Sequence, residues 1–411
     1  MPAGQGTAQA GAETFAGPDA TRPPTMDDVT TTGLAAGLPH WYAHPGAREW
    51  RCAAAPAEAL AFHAGLPGYA ATRLAELPAL ARELDVARLF VKDESARLGL
   101  PAFKALGAYW AIAQVLAARA GLPGRLTLGA LRAAAAGQHL TLITATDGNH
   151  GRAVARFATL LGLRAHVLVP QAVPAPAVAQ IAAEGATVTT VAGSYDDAVA
   201  RGARVAAGDR NTVLVQDMAW PGYADVPARI VEGYGTMLAE VDAQLAAAGA
   251  ARPDLVVVPA GVGSLAQAVV THYRSRAADL PAAVLSVEPD AAACVLASLV
   301  AGRLLSISTG PTNMAGLNCG TPSSLAWPVL RDGLDAAVAV ADDAAARAVA
   351  DLGDLGVSSG PCGAAALAGA RAALTGPGSG TRRAGLGIGA GSVVVLLSTE
   401  GRPAAAPAEA R

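Results

Sequence analysis

The chain has 411 residues, of which 52% are hydrophobic and 15% charged, with a formal net charge of −3. That length and composition support two to three packed domains and exclude global disorder. The faint acidic balance leaves no basic footprint for nucleic acid or an anionic membrane, and no apolar stretch approaches the ~18 residues of a membrane span.

In chain order, residues 1–38 are rich in Gly, Ala, Pro and Thr without apolar periodicity, and are expected to form a flexible leader. MPAGQGTAQAGAETFAGP has neither a basic n-region nor an apolar h-region, so a cytoplasmic location is expected. Strand-sized apolar runs follow: RLFVKD (88–93), LTLITAT (140–146), AHVLVP (165–170), ATVTTVA (186–192), TVLVQD (212–217), DLVVVPA (254–260), AVLSVEP (283–289), AAVAVA (336–341) and SVVVLLS (392–398). Most are separated by alanine-rich helical patterns, as in 148–162 and 225–248. This alternation predicts an α/β chain of βαβ units, with mostly parallel sheets flanked by helices. Residues 374–392 read as a glycine-rich loop and 402–411 as a flexible tail. The four cysteines, Cys52, Cys294, Cys319 and Cys362, are scattered with no C-x-x-C, so neither a metal site nor a disulfide framework is expected.

Ligands of open parallel sheets bind beyond the carboxyl ends of the strands, so the residues that follow each run carry the functional reading. After LTLITAT comes DGNHG (147–151), where an unpaired helix start suits an anion, although this stretch alone favours an ordinary helix entry with Asp147 or Asn149 as N-cap. After DLVVVPA comes GVGSLAQAV (261–269), whose glycines let the backbone approach a phosphate. The spacing of Gly261, Gly263 and Ala266 also fits a dinucleotide fingerprint, with Glu288 at the end of the next strand placed to hold a ribose. Asp217 ends TVLVQD, and Ser398 and Thr399 end the last run.

Lys104 stands among Phe103, Leu106 and Ala108, with Gly107 leaving room for a flat group. Desolvation there would lower its pKa and free an amine able to form a Schiff base. A lysine nucleophile, a glycine-rich phosphate cradle and a hydroxyl at a far strand end are what pyridoxal phosphate needs: an imine link, an anchor and a partner for the ring nitrogen. An NAD-dependent oxidoreductase, the competing reading, leaves Lys104 and TDGNHG without a role.

With these parts in place, the chain resembles the fold type II pyridoxal-phosphate enzymes of the tryptophan synthase beta-like superfamily and, within them, the diaminopropionate ammonia-lyase family. The matching stretches are FVKDES, LPAFKALG, ATDGNHGRAVA, YDDAV, LVQDMAWPGY, AGVGSLAQAV, SVEPDAAACV, NMAGLNCGTPS and LLSTEG, spread over about residues 40 to 401. The resemblance implies two open, mostly parallel sheets, with pyridoxal 5'-phosphate in the cleft between a large domain (39–97 and 223–401) and a small one (98–222), and a homodimer. It implies that Lys104 holds the cofactor covalently and that Asn149 contacts its ring oxygen. Gly261, Val262, Gly263, Ser264 and Leu265 would bind the phosphate, and Ser398 or Thr399 would face the ring nitrogen. Asp147 would be the base for the D-isomer of 2,3-diaminopropionate, Lys104 the base for the L-isomer, and Asp217 the carboxylate beside the β-amino group. The implied reaction is α,β-elimination of ammonia, giving aminoacrylate and then pyruvate and ammonia, with no catalytic metal. SSGPCGAAALAGA (358–370) departs from the acidic SGESGA-like stretch common in that family and resembles the dehydratases instead. A serine or threonine dehydratase, or a β-replacement enzyme of the same fold, is therefore the alternative chemistry.

Overall fold

A computed structural model describes residues 40–250, 252–275 and 281–402. The expected leader at 1–38, and the expected tail apart from Arg402, lie outside them. Eleven strands fall within the described residues: β1 (Trp41–Ala43), β2 (Leu74–Glu76), β3 (Arg88–Asp93), β4 (Thr141–Ala145), β5 (Arg164–Pro170), β6 (Thr187–Val191), β7 (Thr212–Leu214), β8 (Leu255–Pro259), β9 (Ala283–Pro289), β10 (Ala336–Val340) and β11 (Val393–Ser398). Every run singled out in the sequence contributes one. The helical patterns at 148–162 and 225–248 become helices Asn149–Leu161 and Asp225–Ala247.

The strands form two sheets. The larger runs β1-β10-β9-β8-β11-β3-β2 and the smaller β6-β5-β4-β7. The smaller sheet is wholly parallel. The larger is parallel except at its two edges, where the three-residue strands β1 and β2 pair antiparallel. Alternate residues of the large sheet enter two different cores. Val256, Val258, Val393, Val395 and Leu397 pack on one face; Leu255, Val257, Val394 and Leu396 pack on the other. A sheet covered on both faces accounts for runs that read as continuously apolar rather than alternating.

Three expectations need correction. The 374–392 segment is not simply a loop, because Ser379–Leu386 is helical. Gly378 and Gly387, both left-handed, bracket the helix, and Gly380 and Gly385 are accommodated inside it. Strand β7 stops at Leu214 instead of 217. Gln216 Oε1 there accepts hydrogen bonds from Ala145 N and Thr144 Oγ1, both at 3.1 Å, so a side chain takes over from the backbone ladder. Gly107 does not leave room for a ligand. A Cβ on it would stand 2.6 Å from Tyr234 Cε1, and one on Gly233 would stand 2.5 Å from the Leu106 carbonyl oxygen. The two glycines mark where helix Lys104–Ala120 crosses helix Asp225–Ala247 at close range.

Candidate active site

A cavity of about 730 Å³ opens beyond the carboxyl ends of β4, β8 and β11. Lys104, Asp147, Asn149 and Asp217 line it, as do the whole 261–265 turn and Thr399. Ser398 does not: its hydroxyl donates to Ser359 Oγ at 2.8 Å and is fully buried. Residues drawn from distant parts of the chain thus meet because each follows a parallel strand, and parallel strands end on one side of their sheet.

Lys104 is the first residue of helix Lys104–Ala120, reached by the 94–103 loop that leaves β3. Its ammonium forms an ion pair with Asp217 Oδ2. Burial alone would push that amine down, but the adjacent Asp217 carboxylate outweighs burial and holds it above the ordinary lysine value. The expectation of a depressed lysine pKa is therefore reversed. Burial pushes Asp217 up in turn, yet the Lys104 charge, His150 and the hydrogen bond pull it down to about 2. Asp147 goes the other way, to about 7, raised by burial and by the Asp217 charge against the opposing pull of Lys104.

The Gly261–Leu265 turn leads into helix Ser264–Arg274. Gly263 sits at φ +91, where other residues are strained, and a Cβ on it would stand 2.8 Å from Leu330 Cδ1. The unpaired N–H groups of that first turn suit an anion. The Ser264 hydroxyl is already engaged, donating to the Asp217 carbonyl at 2.6 Å, and so ties the cradle to the acid. In DGNHG, Thr146 Oγ1 accepts from Gly148 N at 3.0 Å and from Gly151 N at 3.2 Å. A Cβ on Gly151 would stand 2.4 Å from Thr146 Cγ2, so that glycine serves helix-to-strand packing.

Several cavity residues carried no assignment from the sequence. His150 Nε2 bonds the Val215 carbonyl at 2.8 Å, while its Nδ1 is buried with no partner. Burial lowers its pKa and favours the neutral ring. The Tyr195 hydroxyl accepts from Gln216 Nε2 at 2.6 Å. Glu400 Oε2 accepts from Asn149 Nδ2 at 2.8 Å. Glu400 was within reach of the strand-end rule, since it directly follows Thr399; the position of Tyr195 depends on a long-range meeting that no local pattern encodes. A further signal lay in plain counting. The chain contains only two lysines, Lys92 and Lys104. Lys92 is fully buried, its three donors spent on Thr72 O, Glu240 Oε2 and Gln244 Oε1. Lys104 is thus the only lysine whose amine reaches the cavity.

A profile of the pyridoxal-phosphate dependent enzymes matches residues 66–398. Diaminopropionate ammonia-lyase from Salmonella typhimurium is 37% identical over 298 residues, covering 71% of this chain and 73% of the relative. The Escherichia coli enzyme is 35% identical over 346 residues, covering 83% and 86%. The chain belongs to the diaminopropionate ammonia-lyase family. A crystal structure of the Escherichia coli enzyme in complex with an aminoacrylate-PLP azomethine reaction intermediate superposes with a TM-score of 0.77 at 31% identity, covering 89% of this chain and 94% of that one.

Family membership makes pyridoxal 5'-phosphate the cofactor, and the residues present fit it. The cavity lies in the size range of cofactor sites. One amine reaches it, and its glycine turn has been kept free of side chains where a Cβ would collide. The dinucleotide reading fails on Glu288 as well. That side chain is fully buried and accepts from Val295 N at 2.8 Å and Leu296 N at 2.7 Å. It caps helix Cys294–Ala301 and does not line the cavity. Cys294 and Cys319 are free thiols, as are Cys52 and Cys362. Among the described residues, no cluster of His, Cys, Asp and Glu could hold a metal, and no helix is long and apolar enough to cross a membrane.

Proposed function

We propose that the protein eliminates ammonia from 2,3-diaminopropionate, so that substrate and one water end as pyruvate and two ammonia molecules. The observation that carries this reading is the placing of Asp147 and Asp217 around Lys104 in one cavity, with the two carboxyls at opposite ends of their titration range.

Pyridoxal phosphate, when bound, binds an amine covalently and withdraws electrons, which makes the neighbouring C–H acidic. Lys104 would hold it, with Asn149 at the ring oxygen, the 261–265 backbone at the phosphate and Thr399 at the ring nitrogen, the Ser398 hydroxyl being spent on Ser359 outside the cavity. Asp147, near neutrality in its affinity for a proton, takes the α-proton of the D-isomer; the Lys104 amine takes that of the L-isomer from the opposite side. Asp217 stays anionic throughout the working pH range and keeps the β-amino group protonated, hence a competent leaving group. In the same reading the chain divides into a large domain (39–97 and 223–401) and a small one (98–222), and the protein is a cytoplasmic homodimer with no nucleic-acid partner.

The test is pyruvate release from D- and L-diaminopropionate, D- and L-serine and L-threonine measured side by side. Diaminopropionate of either hand should be turned over fastest. Turnover of threonine or serine with diaminopropionate inert would instead make the protein a dehydratase, the reading suggested by SSGPCGA.

A further inference from the structure

Glu400 closes one wall of the cavity and has no part in the roles assigned above. It stands just past the end of β11. Its Oε2 accepts from Asn149 Nδ2 at 2.8 Å and its Oε1 from the Cys362 backbone N–H at 3.2 Å. Asn149 opens the helix that follows β4 of the small sheet, whereas β11 belongs to the large sheet. Cys362 is the second residue of helix Pro361–Leu374, which packs on the large sheet. One carboxylate therefore joins three segments across the cavity. The space it fills is kept open by a glycine: a Cβ on Gly360 would stand 2.8 Å from Glu400 Oε1. Pro361 has no N–H to offer at the first helical position, so the Cys362 N–H is the first free donor of that helix, and Glu400 takes it.

We propose that Glu400 is a positioning residue for the cofactor site, fixing the side-chain amide of Asn149 so that its second N–H is presented to bound pyridoxal phosphate. This rests on Asn149 being a cofactor contact. An asparagine amide turns about a broad torsion and can present either oxygen or nitrogen. A charged acceptor on one side selects the nitrogen and holds one of its two hydrogens. The other hydrogen is then fixed before the cofactor arrives, and the ordering cost of that contact does not fall on binding. Glu400 touches neither the reacting carbon nor the leaving group in this scheme; it acts through Asn149.

The experiment is a double-mutant cycle read by spectrophotometric titration of the cofactor-free full-length protein with pyridoxal phosphate. Asn149→Ala should raise Kd. Glu400→Leu should raise it about tenfold in the natural background and less than about twofold in the Asn149→Ala background. Glu400→Gln keeps the volume and one acceptor; it should fall between, at about threefold, and serves if the leucine variant does not fold. The same factor in both backgrounds would overturn the proposal, since Glu400 would then act through packing. An unchanged Kd for Asn149→Ala, or for both Glu400 variants, would overturn it too. The ammonia-lyase reading is scored separately by pyruvate release and can fail or stand whichever way the titration falls.

Discussion

Asp147 and Asp217 share one cavity and one side-chain chemistry, yet the first needs a pH near 7 to ionise and the second is ionised from about 2 upward. The lysine ammonium makes the difference: Asp217 is bonded to it and Asp147 is not. A base poised near the working pH is what general-base catalysis favours. Asp147→Asn should therefore lower kcat/KM on D-diaminopropionate by about 100-fold or more while costing the L-isomer less than about tenfold; equal losses would remove the assigned role. With the natural enzyme, kcat/KM for the D-isomer should fall as pH drops below about 7. The same shift carries a stability consequence. The folded-state pKa of Asp147 lies above the usual 3.8, so the folded chain binds that proton more tightly, and the group's contribution to stability falls as pH rises from about 4 to about 7. Asp147→Asn removes that loss, so its Tm relative to the natural protein should rise between pH 4 and pH 8. At this scale the sequence was informative just past the end of a strand run, where Asp147 and Asn149 stand. It was silent on Tyr195 and on the hydrogen bond between Asn149 and Glu400, because both depend on which loops meet across the cavity.

Among the elements, the crossing of helices Lys104–Ala120 and Asp225–Ala247 sets where Lys104 stands. Gly233 admits no Cβ, since one would stand 2.5 Å from the Leu106 carbonyl oxygen, whereas one on Gly235, two residues on in the same helix, would meet nothing within 4 Å. Gly233→Ala should cost about 1–3 kcal/mol and weaken pyridoxal-phosphate binding by shifting the helix that starts at Lys104. Gly235→Ala should be neutral or stabilising by up to about 1 kcal/mol. Thermal melts and cofactor titrations of the pair check both. The long strands were legible because burial on both faces writes them as unbroken apolar runs. β1 and β2 were not: WYA and LAE are three-residue edge strands whose pairing comes from the sheet, not from their own residues. Helix Ser379–Leu386 was hidden by its glycines, two capping its ends (Gly378 and Gly387) and two inside it (Gly380 and Gly385).

Across the whole molecule, a buried ionic cluster ties the segment leading to Lys104 into the large sheet. Arg97 binds Glu94 and Glu240, each at 2.7 Å, and Lys92 binds Glu240 at 2.7 Å. Glu240 belongs to helix Asp225–Ala247, so the 94–103 loop is held between β3 and that helix. Glu240→Ala would leave two buried cations without their shared partner and should cost about 3–5 kcal/mol, read as a lowered urea midpoint. None of this was visible in the sequence, where Lys92 near the end of a strand run and Glu94 and Arg97 just past it look like ordinary polar residues. What could be read there was the α/β alternation and the rule that function gathers at strand ends, and those place the cavity. A covalent bond from Lys104 to the cofactor underlies every role proposed for the cavity, and the presence of only two lysines makes it unusually direct to test. Borohydride reduction of the cofactor-loaded protein, followed by peptide mass spectrometry, should find the pyridoxyl mass on the Lys104 peptide alone. Finding it on Lys92, or on no lysine at all, would rule out Lys104 as the anchor.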